Sequence, residues 1–152
     1  MLYYKFTLIN GFNFGQIKYY IGMNIDYEEM LAEAKKASKN SYSPYSKFAV
    51  GASVLCTSGK IYRSCNVENT SFGMTVCAER NAIFKAVSEG EREICAVAIY
   101  SPNKESCFPC GACRQVMYEF QPKNADIEII TENNGKPEVK KLSYYLPDGF
   151  KI

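Results

Sequence analysis

Apolar residues recur along this chain at two periods, and their interleaving predicts an α/β fold. From Asp26 the spacing is helical: Tyr27, Met30, Leu31, Ala34 and Ala37 share one face, and Asp26 followed by Glu29 makes a capping-box start. Ser41-Tyr42-Ser43-Pro44-Tyr45 ends that helix. Phe48, Val50, Ala52, Val54 and Cys56 then alternate with smaller or polar residues, the pattern of a half-buried strand. Ser58-Gly59 turns the chain into a second strand, Ile61 to Cys65. A polar loop, residues 66–71, leads to a helix that opens at Cys77. It turns Ala82, Ile83, Ala86 and Val87 inward and stops near Gly90.

The unbroken apolar run Ile94-Cys95-Ala96-Val97-Ala98-Ile99-Tyr100 reads as a central strand. A short helix opens at Pro109-Cys110 and ends before Pro122, where the missing proline N–H suits the first position. Ile127 to Thr131 is a further strand. Asn133-Asn134-Gly135 turns tightly into a last one near Glu138 to Leu142, and so short a link makes those two strands antiparallel. The predicted order is α-β-β-α-β-α-β-β: a mixed sheet of five strands packed with helices, in one domain over residues 23–152. Residues 1–22 hold only Lys5 and Lys18 as charges, and show neither a sustained period nor a small-residue cleavage site. They read as a dispensable N-terminal extension or upstream start, the other reading being an extra strand packed on the domain.

Composition narrows the chemistry. The 152 residues carry a net charge of +2, too little for a nucleic-acid groove or a membrane-surface patch, and the apolar runs are too short to span a bilayer. Seven cysteines without a secretory signal point to a reducing, cytoplasmic compartment. Histidine is absent, which removes serine–histidine triads, cysteine–histidine dyads and imidazole metal ligands. Catalysis by this chain has to use carboxylates, thiolates or a metal.

Those groups concentrate in two segments, Cys77-Ala78-Glu79-Arg80 and Pro109-Cys110-Gly111-Ala112-Cys113. Cys110 and Cys113, at i and i+3, offer two sulfurs on one face of a first helical turn, and Cys77 is the candidate third ligand of a tetrahedral Zn²⁺. Three protein ligands leave a fourth position open for water, the mark of a catalytic zinc. Glu79 stands beside the metal without binding it, as a proton carrier. Arg80, three residues after Cys77, faces the same side and offsets thiolate charge, as do the two helix N-termini. Cys-x-x-Cys alone also fits a redox pair, or half of a structural four-cysteine zinc completed by Cys107 or Cys65. A redox pair, however, would follow the first strand of a thioredoxin-like unit, and this one opens a late helix. Cys56, Cys65, Cys95 and Cys107 read as packing residues.

At these residues the chain resembles the small cytidine deaminases of the homotetrameric, three-cysteine type. The likeness runs from about Asp26 to Phe150. It includes Ser43-Pro44-Tyr45-Ser46-Lys47-Phe48, Val50-Gly51-Ala52, Asn66-Val67-Glu68-Asn69, the two cysteine segments extended by Arg114-Gln115, and Leu146-Pro147-Asp148-Gly149-Phe150. The resemblance implies a three-layer fold, one Zn²⁺ per subunit, a nucleoside substrate, a homotetramer and a place in pyrimidine salvage. It further implies that Phe48 faces the pyrimidine, Asn66 and Glu68 bind ribose hydroxyls, the Ala78 backbone contacts the base, and Phe150 reaches a neighbouring subunit's site. Without it, Phe48 is equally an ordinary strand residue, and Asn66 and Glu68 a solvated turn. Two positions depart from the family's usual pattern: Phe72 where tyrosine is common, and Phe108 where a small hydroxyl residue usually precedes the proline. The competing functions are a deaminase of bases in RNA or single-stranded DNA, a deaminase of aminonucleoside antibiotics, and a structural zinc module.

Overall fold

The computed structural model describes residues 24–151, so the expectations for residues 1–22 lie outside it. The elements are α1 (Tyr27–Ser38), β1 (Gly51–Cys56), β2 (Ile61–Cys65), a 3₁₀ turn at Phe72–Met74, α2 (Ala78–Ser88), β3 (Ile94–Tyr100), α3 (Gly111–Glu119), β4 (Glu128–Asn133), β5 (Lys136–Lys141) and a short α4 (Leu142–Tyr145). The sheet has five strands in the order β2-β1-β3-β4-β5. β3 and β4 are parallel and every other neighbouring pair is antiparallel, including the β4–β5 hairpin. Asn134 and Gly135 turn that hairpin with φ of 50° and 75°, the left-handed values an Asn-Gly turn supplies.

Local chemistry sets the element ends. Asp26 caps α1, its carboxylate accepting from Glu29 N at 2.9 Å. α2 gives way to Gly90 at φ 101°, where the absent Cβ makes the left-handed backbone inexpensive. Each face of the sheet then buries its own set of side chains. Val54, Val97, Ile99 and Ile129 pack with Ala82, Ile83 and Ala86 of α2 and Cys113 and Met117 of α3. Leu55, Ala96, Ala98 and Ile130 pack with Met30 and Ala34 of α1. The result is three layers, with α1 on one face and α2 and α3 on the other.

Three strand expectations change, the first being that β1 begins at Gly51, which leaves Phe48 and Val50 outside the sheet. β1 is buried at every residue, not on one face only, because it lies inside the sheet with helices above and below. Its small residues make this possible: a Cβ on Gly51 would stand 2.0 Å from Ala34 O and 2.4 Å from Ser38 N, so α1 packs directly on strand backbone. Gly51→Ala should therefore cost at least about 2 kcal/mol and lower the melting temperature by roughly 4–8 °C. An unshifted melting curve would mean that α1 does not sit this close. The last strand, expected to run to Leu142, ends at Lys141. Leu142 is fully buried, donates its N–H to Ile127 O at 2.8 Å, and opens α4, with Ser143 N reaching the Asp126 carboxylate at 3.3 Å. A core anchor and a first-turn acceptor bend the chain where apolar alternation alone would extend it.

Candidate active site

The two cysteine segments fold the same way. Cys77 is the N-cap of α2 and Cys110 the N-cap of α3. Both are extended, at φ −69° with ψ 156° and 165°, and neither spends its side chain on a cap hydrogen bond. Their sulfurs stay free, beside unpaired N–H groups that favour negative charge. Cys113, in the first turn of α3, is fully buried. Packing of α2 and α3 on one face of the sheet brings the three sulfurs together, all within 4.8 Å of one another. Cys77 and Cys110 are 3.8 Å apart, and Cys110 and Cys113 3.5 Å. Tetrahedral zinc with Zn–S bonds of about 2.3 Å separates neighbouring sulfurs by about 3.8 Å, so the trio fits that ion. Among the described residues no fourth cysteine joins this group. Cys107 lies close enough to feel the Glu79 charge, but burial first, and that charge second, push its thiol up to about 11. Cys65 donates to Asn40 O at 3.2 Å.

The charges around the sulfurs are arranged to match. The adjoining Cys113 leads in drawing the Cys77 thiol down, helped by Arg80 against the cost of burial. Cys113 moves up, as the proton donor to Cys77 and as a buried group. Arg80 Nη2 donates to Cys77 Sγ at 3.5 Å and to Thr75 O at 3.2 Å, while its buried Nε has no partner among the described residues. Cys77 is thus drawn toward the thiolate beside a guanidinium, whereas Cys113 is held toward the thiol and must release its proton to take part in binding a cation. Zinc uptake should therefore release protons and weaken as pH falls, since protons compete for the sulfurs. Titrating Zn²⁺ affinity at several pH values checks this; pH-independent affinity would rule out thiolate ligation.

Glu79, the second residue of α2, is only 4% exposed. Burial raises its carboxyl to about 7, with the Cys77 charge adding to the shift and its own helix-end N–H and Cys113 opposing it. A divalent cation held by the three sulfurs acts in the lowering direction. A carboxyl so placed can both accept and return a proton near neutral pH.

The remaining sequence-chosen residues form a second part of the site. Phe48 precedes β1 on an extended segment outside the sheet and packs, half-buried, against the core that contains Ala78 and Cys113. Asn66 binds this segment: its Nδ2 donates to Phe48 O at 2.9 Å, and its Oδ1 accepts from Val50 N at 2.9 Å and Ser41 Oγ at 2.6 Å. Glu68 accepts from Tyr45 N at 2.9 Å, Ser46 N at 3.2 Å and the Ser46 hydroxyl. The hydroxyl bond leads in holding its carboxyl below the usual range. Lys47, at φ 58°, makes the turn that presents these donors. Both polar side chains thus hold the 41–50 loop in this structure. Ala78 is fully buried as the first residue of α2, with an N–H that has no acceptor inside the helix. Phe150 is clipped to α3 by Gln115, whose Nε2 donates to Phe150 O at 2.6 Å and whose Oε1 accepts from Phe150 N at 3.3 Å; Phe150 as a whole is 72% exposed.

The structure adds residues whose roles the sequence did not mark. Arg114 donates from Nε to Pro109 O at 2.7 Å and from Nη1 to Tyr145 O at 3.0 Å, bracing the turn that carries Cys110. Asn103 Oδ1 accepts from Ala49 N at 2.9 Å. Asn81 Nδ2 donates to Cys65 O at 3.0 Å, tying α2 to β2. Arg114 was legible only as part of a motif, and Asn103 and Asn81 had no local signal. Phe108 lies against Tyr145, ring centroids 5.6 Å apart, and Phe72 against Tyr45 at 6.0 Å.

A mixed three-layer fold, three cysteine sulfurs at two helix N-termini and a buried non-ligand glutamate define the class of zinc-dependent deaminases. Comparison with known proteins agrees. Residues 24–128 match the family model for the cytidine and deoxycytidylate deaminase zinc-binding region. A cytidine deaminase from Sporosarcina psychrophila is 44% identical over 126 residues, covering 83% of this chain and 92% of that protein. The crystal structure of the cytidine deaminase from Burkholderia pseudomallei superposes with a TM-score of 0.76 at 38% identity, over 83% of this chain and all of that one. The Mycobacterium tuberculosis cytidine deaminase structure gives 0.74 at 34% identity, over 85% of this chain and 100% of its own. The chain belongs to the cytidine and deoxycytidylate deaminase family.

Proposed function

We propose that the chain converts cytidine and 2′-deoxycytidine, with water, to uridine and 2′-deoxyuridine plus ammonia. The carrying observation is the meeting of three sulfurs with a 4% exposed carboxylate at the paired N-termini of α2 and α3. Cys77, Cys110 and Cys113 hold one Zn²⁺ per subunit, which supplies Lewis-acid activation of a water molecule. Glu79 accepts a proton from the attacking water and delivers it to the pyrimidine N3, as oxygen adds at C4. It then takes the proton of the C4 hydroxyl and hands it to the departing amine, so that C4=O forms and ammonia leaves as the C4–N bond breaks. Arg80 balances the charge on Cys77. Phe48 lies along the pyrimidine ring, the Ala78 backbone meets the base, and Asn66 and Glu68 face the ribose. For Asn66 and Glu68 this means sharing groups that already hold the 41–50 loop.

A free nucleoside is favoured over a polynucleotide by the small net charge and by the antiparallel β4–β5 pair, the arrangement associated with the nucleoside branch. Assembly into a homotetramer is supported by the exposed apolar side chains of Phe72, Met74 and Phe150. A chain with seven cysteines suits a reducing cytoplasm, and the reaction suits pyrimidine salvage. No helix among the described residues is long and apolar enough to cross a membrane. Ultraviolet absorbance should fall when purified zinc-loaded protein meets cytidine. Bound zinc with cytidine and deoxycytidine both untouched would retire this substrate class and turn the search to antibiotic nucleosides and RNA.

A further inference from the structure

The Phe48–Val50 segment lies outside the strands; Asn66 N donates to Val50 O at 3.1 Å, and side chains hold most of its other backbone groups. Phe48 N donates to Ser46 Oγ at 3.0 Å, Asn66 brackets the segment at Phe48 O and Val50 N, and Ala49 N donates to Asn103 Oδ1 at 2.9 Å. Of these partners Asn103 alone belongs to the loop between β3 and α3, which delivers Cys110 and Cys113. That loop is anchored at both ends. Asn103 N donates to the oxygen of Ser101, 5% exposed at the end of β3, at 3.1 Å, and Ser106 N donates to Glu132 O at 2.9 Å. Asn103 reaches from this fixed loop to a residue 54 positions earlier.

We propose that Asn103 is a positioning residue for nucleoside binding: through Ala49 N it sets where the Phe48 ring stands relative to the cysteine-bearing loop. The proposal rests on the deaminase reading. Asn66 cannot take over, because its oxygen already receives Val50 N and Ser41 Oγ. Losing the Asn103 acceptor removes this hydrogen bond between the Phe48 segment and the loop while leaving its ties to Asn66 and Ser46. Phe48 contacts a pyrimidine equally before and during reaction, so the loss should fall on substrate binding and not on the chemical step.

The test is steady-state cytidine kinetics on zinc-loaded Asn103→Ala and Asn103→Asp, together with amide hydrogen exchange at Ala49. Alanine should raise KM about fivefold, the worth of one hydrogen bond, leave kcat within about twofold, and speed exchange at Ala49. Aspartate keeps an acceptor oxygen and should restore KM to within about twofold of the parent. Parent turnover with an unchanged KM in Asn103→Ala, or an equal loss in the aspartate variant, would overturn the proposal alone. A zinc-loaded parent that neither binds nor converts cytidine would overturn the deaminase reading, and the proposal with it.

Discussion

Replacing Glu79 with alanine should leave zinc at about one ion per chain while cytidine turnover falls by at least about 10²-fold. The expectation follows from where the side chain sits. Glu79 lies outside the group of Cys77, Cys110 and Cys113, so on the proposed ligand set the metal would lose no bond when the carboxylate goes. It is nevertheless 4% exposed and within the electrostatic reach of Cys77, Cys113 and Cys107. A structural role would show as a lower melting temperature. Removing a carboxyl whose ionisation burial opposes should instead leave stability unharmed. Metal analysis, turnover and melting on the same preparation separate the cases. Retained activity would deny Glu79 the proton transfer, and lost zinc would make it a ligand.

The second large effect concerns the metal. Cys113→Ser should lose most of its zinc, and turnover should fall to background. Cys113 is fully buried and 3.5 Å from Cys110, completing a trio whose other members project from two separate helix ends. A serine hydroxyl does not ionise near neutral pH, so two thiolates would remain, and zinc would be left underligated. Cys107→Ser is the control. Its thiol is pushed up to about 11 and lies outside the sulfur trio, so that variant should keep its zinc. Metal content measured after dialysis decides between them. Zinc kept by Cys113→Ser and lost by Cys107→Ser would reassign the ligand set.

The site was unevenly visible before folding. Cys110 and Cys113 could be placed together from spacing alone, because i and i+3 share a face in any helix. Asn66 and Glu68 could be named from the resemblance, but not their hydrogen bonds to Phe48, Val50, Tyr45 and Ser46, which join different loops. β1 misled for a related reason. Alternation reports one face against the other, whereas burial of Ser53 came from an unforeseen acceptor, Met30 O in α1 at 2.6 Å. Leu142 looked like the end of a strand until its burial and the Asp126 carboxylate turned it into a helix start.

By itself the sequence determined the order of elements through β5 though not α4, the helix ends at Cys77 and Cys110, and the absence of any histidine chemistry, since these depend on periodicity, capping and composition over a few residues. The tertiary structure alone decided how closely Cys77 approaches the Cys110–Cys113 pair, that β1 is covered on both faces, and that Asn103 holds the Phe48 segment. Those facts arise when helices pack across a sheet and bring together groups tens of positions apart, a distance over which local pattern carries no information about contact.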